Sequence, residues 1–131
     1  MEKEFVPYEL ALRLKALGFD EPCFGFYQLE YGEIRPIMVD DDEQYRLTGY
    51  RTCKNSEIPK HYTSAPTFSQ AFRWFREKDR DIKIQKDPNG LYSGFFYWDG
   101  ASWLVSQCEV YEEVELDCLQ RLIEIEKAKS E

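Results

Sequence analysis

The stretch that decides the fold is residues 65–80, APTFSQAFRWFREKDR, because the spacing of its apolar side chains predicts a helix in the middle of the chain. Pro66 suits the first helical position, where a missing N–H costs nothing, and Ser64 suits the N-cap. At about 100° per residue, one arc of this helix collects the side chains expected to face a core. They are Phe68, Ala71, Phe72 and Phe75.

A second flank of the same helix carries Arg73, Arg76 and Arg80, and Trp74 lies beside the apolar arc. Guanidinium groups present planar forks of donors that match phosphate or carboxylate, so this edge is a candidate binding surface. A charged flank opposite an apolar one is also the ordinary appearance of a solvated surface helix, paired with acids such as Glu77. Both interpretations stay open.

The segments around this helix predict an α+β fold. Residues 6–17 predict a first helix that Gly18 ends, and residues 111–129 predict a last helix with acids in its first turn and lysines in its last. Strands are predicted at residues 23–31, 34–39, 45–52, 81–86, 91–98 and 101–107. The order α-β-β-(β)-α-β-β-β-α predicts a single domain over residues 1–131, with three helices on an antiparallel sheet of about five to six strands.

Three local signals refine that sheet. Pro36 lacks a backbone donor, which favours an edge position or a bulge for the second strand. The run 91–98 is apolar at nearly every position, which favours a central strand. Asp99 and Gly100 match the preferred two-residue hairpin turn.

Composition excludes some classes of function. The 131 residues are 43% hydrophobic and 16% aromatic, which favours a packed core, and the net charge is -8. An acidic chain disfavours binding to nucleic acid, which needs a basic face, and to anionic membranes. The longest apolar runs are too short to span a membrane. Four cysteines without C-x-x-C spacing, after a charged opening, predict reduced thiols in a cytoplasmic protein.

No residue pattern predicts catalysis, a metal site or a cofactor. Cys53 and His61 lie in one predicted loop, but no sequence signature of a nucleophile or an oxyanion hole accompanies them. The acidic run 40–43 lacks the alternating ligands and the glycine of a calcium loop, so a solvated loop is favoured.

Aromatic residues crowd the two strands 91–98 and 101–107. Alternation along a strand sends half of them to the core and half to the other face of the sheet. If that face is uncovered, its aromatic rings form a patch typical of interfaces or a ligand groove; a helix or a second subunit covering it is the equal alternative. The residues concerned are Phe95, Phe96, Tyr97, Trp98 and Trp103.

Three segments, PYELALRLKALGFDEPCFGFY (7–27), APTFSQAFRWFREK (65–78) and YEEVELDCLQRLIEIEK (111–127), carry a resemblance. Together they resemble a family of small uncharacterised proteins from gut Bacteroides-type bacteria and their phages and prophages. The resemblance covers about half of the chain. It implies a cytoplasmic accessory protein of a kind carried on mobile elements, and it transfers no site residue.

These observations favour a non-enzymatic interaction module that acts through a sheet face or a helix surface on a host or phage protein, or by self-association as a homodimer. The acidic last helix would also suit mimicry of a phosphate backbone. The alternative is a small-ligand-binding protein or minor enzyme with an arginine-edged aromatic groove, and a third possibility is a stabilising part of a larger assembly. The candidate binding residues are Arg73, Arg76, Arg80, Trp74, Tyr97, Trp98 and Trp103.

Overall fold

Three helices and six strands form in the residues that the computed structural model describes, which are 4–30, 33–41 and 52–130. They divide between two units, Met1–Thr67 (unit 1) and Phe68–Glu131 (unit 2). The α+β class, the three helices and the antiparallel pairing are confirmed. The strands form two three-stranded sheets, however, where the sequence predicted one. The prediction of a single domain over residues 1–131 stays a prediction.

Unit 1 begins with helix α1 (Tyr8–Ala16), which ends as its sequence predicts. Gly18 adopts a φ of 97°, and its N–H donates to the carbonyl of Lys15 at 3.0 Å. The N–H of Phe19 donates to the carbonyl of Leu14 at 3.0 Å. These two bonds form a Schellman motif, so the helix stop at Gly18 is confirmed.

The sheet of unit 1 has the order β2-β1-β3, from strands β1 (Gly25–Glu30), β2 (Glu33–Met38) and β3 (Thr63–Ser64). Pro36 lies in β2, which confirms the edge position predicted for it. Strand β3 falls in a stretch predicted to be a loop. The described residues do not include residue 31 of the predicted first strand, residues 42–43 of the acidic run or residues 45–51 of the predicted third strand. Thr52 is described and is not in a strand.

Unit 2 contains helix α2 (Phe68–Arg76), strands β4 (Asp81–Lys86), β5 (Tyr92–Trp98) and β6 (Ala101–Cys108), and helix α3 (Tyr111–Ser130). The strand order β4-β5-β6 confirms that β5 is central. Asp99 and Gly100 both have positive φ, 51° and 78°, as a type I′ hairpin turn requires.

Helix α2 is shorter than predicted at both ends. It begins at Phe68, after Ser64 in β3 and Thr67 in an isolated antiparallel bridge with Phe5. The predicted N-cap and the first-turn position of Pro66 are therefore wrong. It ends at Arg76 because Asp79 takes a left-handed φ of 63° and the N–H of Arg80 returns to the carbonyl of Phe75 at 3.0 Å. The predicted apolar arc is buried at Phe68, Ala71 and Phe75 and half-buried at Phe72.

Helix α3 packs closely on β5 at Gly94. A Cβ atom at this position would overlap Sγ of Cys118 and lie 2.9 Å from Cγ1 of Val114. The glycine therefore allows a separation that other residues would prevent. Within the described residues, no helix has both the length and the apolar character to cross a membrane.

Candidate functional site

A groove of about 1000 Å³ opens in unit 2 between the hairpin end of β5 and β6 and the C-terminal half of α3; we call it the aromatic groove. Its sheet side is aromatic and aliphatic, and its rim is mostly cationic. The lining residues are Lys78, Asp79, Arg80, Phe96, Trp98, Trp103, Leu104, Val105, Arg121, Ile125 and Lys129.

The aromatic side of the groove follows from strand alternation and register. Phe96 and Trp98 are two apart on β5 and so share the face on which Gly94 meets α3. Trp103 lies directly opposite Phe96 on β6, and their rings stack with centroids 5.5 Å apart. Phe96 is buried, whereas Trp98 is 49% exposed and Trp103 is 48% exposed. The indoles of Trp98 and Trp103 are therefore half exposed beside the buried ring of Phe96.

The helix side of the groove comes from one line of side chains on α3. Arg121, Ile125 and Lys129 are spaced four residues apart, which places them along the same side of the helix. Val114 and Cys118, nearer the start of α3, make the close contact with β5. The helix and the sheet therefore meet tightly at Gly94 and leave an open space toward the hairpin.

Arg80 is the central cation of this site. Its residue is only 6% exposed, its Nε lies 3.5 Å from Oε2 of Glu126, and its Cζ lies 5.5 Å from the centroid of the Trp98 ring. Within the described residues, this buried Nε makes no hydrogen bond. The Glu126 carboxylate and the Trp98 ring hold the guanidinium in place. The guanidinium has five N–H donors, more than one carboxylate oxygen at 3.5 Å can accept from.

Three further cations stand at the rim. Lys78 places its Nζ 4.6 Å from the Trp74 ring, and Arg121 makes an exposed ion pair with Glu124 at 3.6 Å. Exposed pairs of this kind contribute about 0–1 kcal/mol, so a ligand carboxylate can compete for Arg121. With Lys129 and Arg80, the lining holds four cations and one carboxylate, Asp79, in a chain of net charge -8.

A second, shallower cavity of about 600 Å³ lies next to the groove; we call it the shallow depression. It brings together four of the seven residues that the sequence selected, and it shares Arg80 and Trp98 with the aromatic groove. Its lining residues are Arg76, Asp79, Arg80, Asp81, Tyr97, Trp98, Asp99 and Gly100.

The aromatic groove does not include four of the selected residues, Arg73, Trp74, Arg76 and Tyr97. Arg73 is exposed on α2 and lines neither cavity. Trp74 is buried and packs edge-on against Phe75 at 5.0 Å, which makes it a core residue. Tyr97 lines the shallow depression, but it alternates with Trp98, so its ring lies on the face of the sheet away from the aromatic groove, where Nζ of Lys83 is 5.2 Å from the ring centroid. The arginine edge is divided because α2 ends at Arg76, before Arg80.

Sequence reasoning missed the cations of α3. Arg121 and Lys129 flank Ile125 at helical spacing, so a helical projection of residues 111–129 could have grouped them. Nothing in the sequence places them opposite Trp98 and Trp103, because that proximity depends on how α3 packs on the sheet.

The residues considered for catalysis or metal binding, Cys53, His61 and Asp40, all lie in unit 1. Cys53 is buried, which raises the pKa of its thiol to about 12, and it pairs with Cys23 in an antiparallel bridge. His61 is exposed, with its ring 4.3 Å from that of Tyr62. Asp40 is exposed in a short 3-10 turn, Val39–Asp41. In the part of the chain that the structure describes, no cluster of three or more His, Cys, Asp or Glu residues is arranged to hold a metal ion.

Comparisons with protein-family models, with curated proteins and with solved structures found no match to this chain.

Proposed function

We propose that this protein is a non-enzymatic binding module whose aromatic groove takes an acidic segment of a partner protein, anchored by an apolar side chain. The observation that carries the proposal is the pair of half-exposed indoles, Trp98 and Trp103, in a groove with a cationic rim. The lining is aromatic, aliphatic and cationic with a single carboxylate, a composition suited to binding.

The two indoles supply the apolar part of the interaction. A tryptophan buries up to about 250 Å², so a half-exposed one leaves on the order of 100 Å² for a partner to cover. At about 25 cal/mol per Å², covering both indoles contributes roughly 5 kcal/mol before the costs of association. Tryptophan is also among the residues that dominate measured interface energies.

The rim supplies the preference for acidic partners. Arg80 is already fixed by its neighbours, so little side-chain entropy is lost when a carboxylate approaches it. Lys78, Arg121 and Lys129 extend the positive potential along the groove, while the net charge of -8 repels acidic partners from the rest of the surface. Charge complementarity therefore favours docking of an acidic segment at this site.

The resemblance noted for the three helical segments suggests the source of the partner. In an accessory protein of bacteria and their phages, the occupant would be a host or phage protein. The acidic segment and its apolar anchor are the features of that partner that the groove would recognise.

Peptide selection tests this proposal directly. Random peptides displayed on yeast are selected for binding to the full chain and counter-selected against the double variant Trp98→Ala/Trp103→Ala. We expect enriched peptides to combine Asp or Glu with a leucine or aromatic residue. Their Kd should weaken at least tenfold in the double variant and should also weaken as salt is raised, because salt screens the rim.

A matched control is Phe24→Ala, since Phe24 is 51% exposed but lies in unit 1. It should leave the Kd unchanged. Enrichment of basic peptides, or equal binding by the double variant, would contradict the proposal. Sedimentation of the chain alone is measured in parallel, because dimerisation that the double variant abolishes would make a second copy the occupant instead.

A small anionic aromatic ligand is the second candidate, and the position of Arg80 beside Trp98 favours it. A guanidinium next to an indole can hold a ring and its carboxylate or sulfonate together. The probe is anilinonaphthalene sulfonate. Saturable binding of one molecule per chain, lost in Trp98→Ala and kept in Phe24→Ala, supports this candidate; weak, non-saturating binding contradicts it.

A further inference from the structure

Cys23 and Cys53 face each other across an isolated antiparallel bridge in unit 1. The N–H of each residue donates to the carbonyl of the other at 2.8 Å, which makes them a hydrogen-bonded antiparallel pair. The Cα atoms of such a pair are about 5.5 Å apart, and their side chains leave the bridge on the same side. Disulfides span Cα separations of roughly 4.4–6.8 Å, so the two Cα atoms are within range. The Cβ atoms of a hydrogen-bonded pair are about 5.5 Å apart and must approach by about 1 Å, so the bond would form with some strain.

We infer that Cys23 and Cys53 form a disulfide-bonding site, so that oxidation joins the segment entering β1 to the segment around residue 53. The loop closed by this bond would contain the β1–β2 hairpin. The site is independent of the aromatic groove, because it belongs wholly to unit 1.

The burial of the two thiols determines how readily they are oxidised in the folded protein. Both residues are buried, at 0% and 1% exposure. Burial raises the pKa of Cys23 and of Cys53 to about 12. The nearby Ser64 side chain opposes the rise at Cys23, and the proximity of Cys23 adds to it at Cys53. In the folded protein the thiolate is therefore scarce, and oxidation should be slow unless unit 1 opens or is still folding.

The reaction is thiol–disulfide exchange with a small-molecule disulfide as the oxidant. The thiolate of one cysteine attacks the reagent, releases one small thiol and leaves a mixed disulfide. The thiolate of the other cysteine attacks the protein sulfur of that mixed disulfide and releases the second small thiol. The cysteines lose two electrons and the reagent gains them, while both thiol protons end on the two released small thiols.

The test is to refold the full chain from denaturant in oxidised and reduced glutathione, which avoids the slow access to buried thiols. We expect two of the four cysteines to become unreactive toward a thiol reagent under denaturing conditions. Digestion and mass spectrometry should then show one cross-linked pair of peptides, containing Cys23 and Cys53. The thermal midpoint of the oxidised chain should lie roughly 5–10 °C above that of the reduced chain.

The controls separate this pair from the other two cysteines. Cys108→Ser should keep the cross-link and the rise in thermal midpoint, and Cys53→Ser should lose both. Retention of four reactive thiols, or a cross-link that includes Cys108 or Cys118, would overturn the inference. Because the mapping uses the unaltered chain, it does not depend on whether a variant folds.

Discussion

Replacing Gly94 with alanine tests the close contact between β5 and α3 that defines the tight end of the groove. The new Cβ would overlap Sγ of Cys118 and lie 2.9 Å from Cγ1 of Val114, two side chains that are fully buried. Overpacking of a core costs about 1–3 kcal/mol. Because the two obstructing side chains lie on successive turns of α3, the helix must shift as a whole, and we expect a loss near 3 kcal/mol.

Urea unfolding followed by tryptophan fluorescence measures this loss, since all three tryptophans lie in unit 2. Cys118→Ala should cost about 1 kcal/mol by itself as the removal of a small buried group, yet it should recover part of the loss in the Gly94→Ala background. Ser102→Ala, exposed on β6, should change the free energy of unfolding by less than about 0.5 kcal/mol. A cost below about 0.5 kcal/mol for Gly94→Ala, or strict additivity with Cys118→Ala, would refute the proposed contact.

Two further substitutions have defined expectations. Burial raises the pKa of Glu115 above its usual 4.5, and the charge of Glu112 adds to the rise, whereas a hydrogen bond with Tyr111 opposes it. The ionisation of Glu115 therefore destabilises the fold, and this loss of stability develops as pH rises through the raised pKa. Glu115→Gln should therefore be more stable than the parent at pH 7 and equal to it near pH 4, and a gain of the same size at both pH values would contradict this. Lys15 donates from Nζ to the carbonyls of Lys60 and Tyr62 at 2.6 and 2.7 Å, so Lys15→Met should cost about 1.5–3 kcal/mol in thermal or urea unfolding, whereas Arg13→Met, exposed on α1, should cost little.

The sequence predicted those parts of the fold that depend on local chemistry. Gly18 ends α1 because a residue without Cβ takes the left-handed conformation at little cost, and the Asp99-Gly100 turn follows the same rule. Pro36 indicated an edge strand because it has no N–H to donate. In each case one residue type limits the backbone, so neighbours distant in sequence are not needed for the prediction.

The end of α2 and the pairing of the strands were harder to predict. Asp79 takes the left-handed conformation after α2, as Gly18 does after α1. An aspartate does not by itself indicate where a helix ends, because it adopts this conformation less often than glycine. Strand β3 has two residues, too few to show alternation, so its pairing with β1 could not be foreseen. One sheet was predicted because periodicity identifies strands but does not say which of them pair.

Only part of the candidate site was predicted, because the sequence pattern does not show how the helices pack on the sheet. Trp98, Trp103 and Arg80 were selected from the sequence, and the structure brings all three to the aromatic groove. Arg121 and Lys129 were missed because they reach this groove through packing between α3 and the sheet. Trp74 was selected as an aromatic beside the apolar arc, but its ring is buried in the core.

The most direct measurement is an NMR titration of the isotope-labelled full chain with an enriched acidic peptide, observing the three indole N–H signals. Trp98 and Trp103 should shift or broaden with a common saturation point, because they line the groove and are half exposed. The indole N–H signal of Trp74 should shift less than the other two, since Trp74 is buried and outside the lining, although Lys78 of the rim contacts its ring. Unchanged signals from Trp98 and Trp103 at saturating peptide would contradict the assignment of the aromatic groove as the binding site.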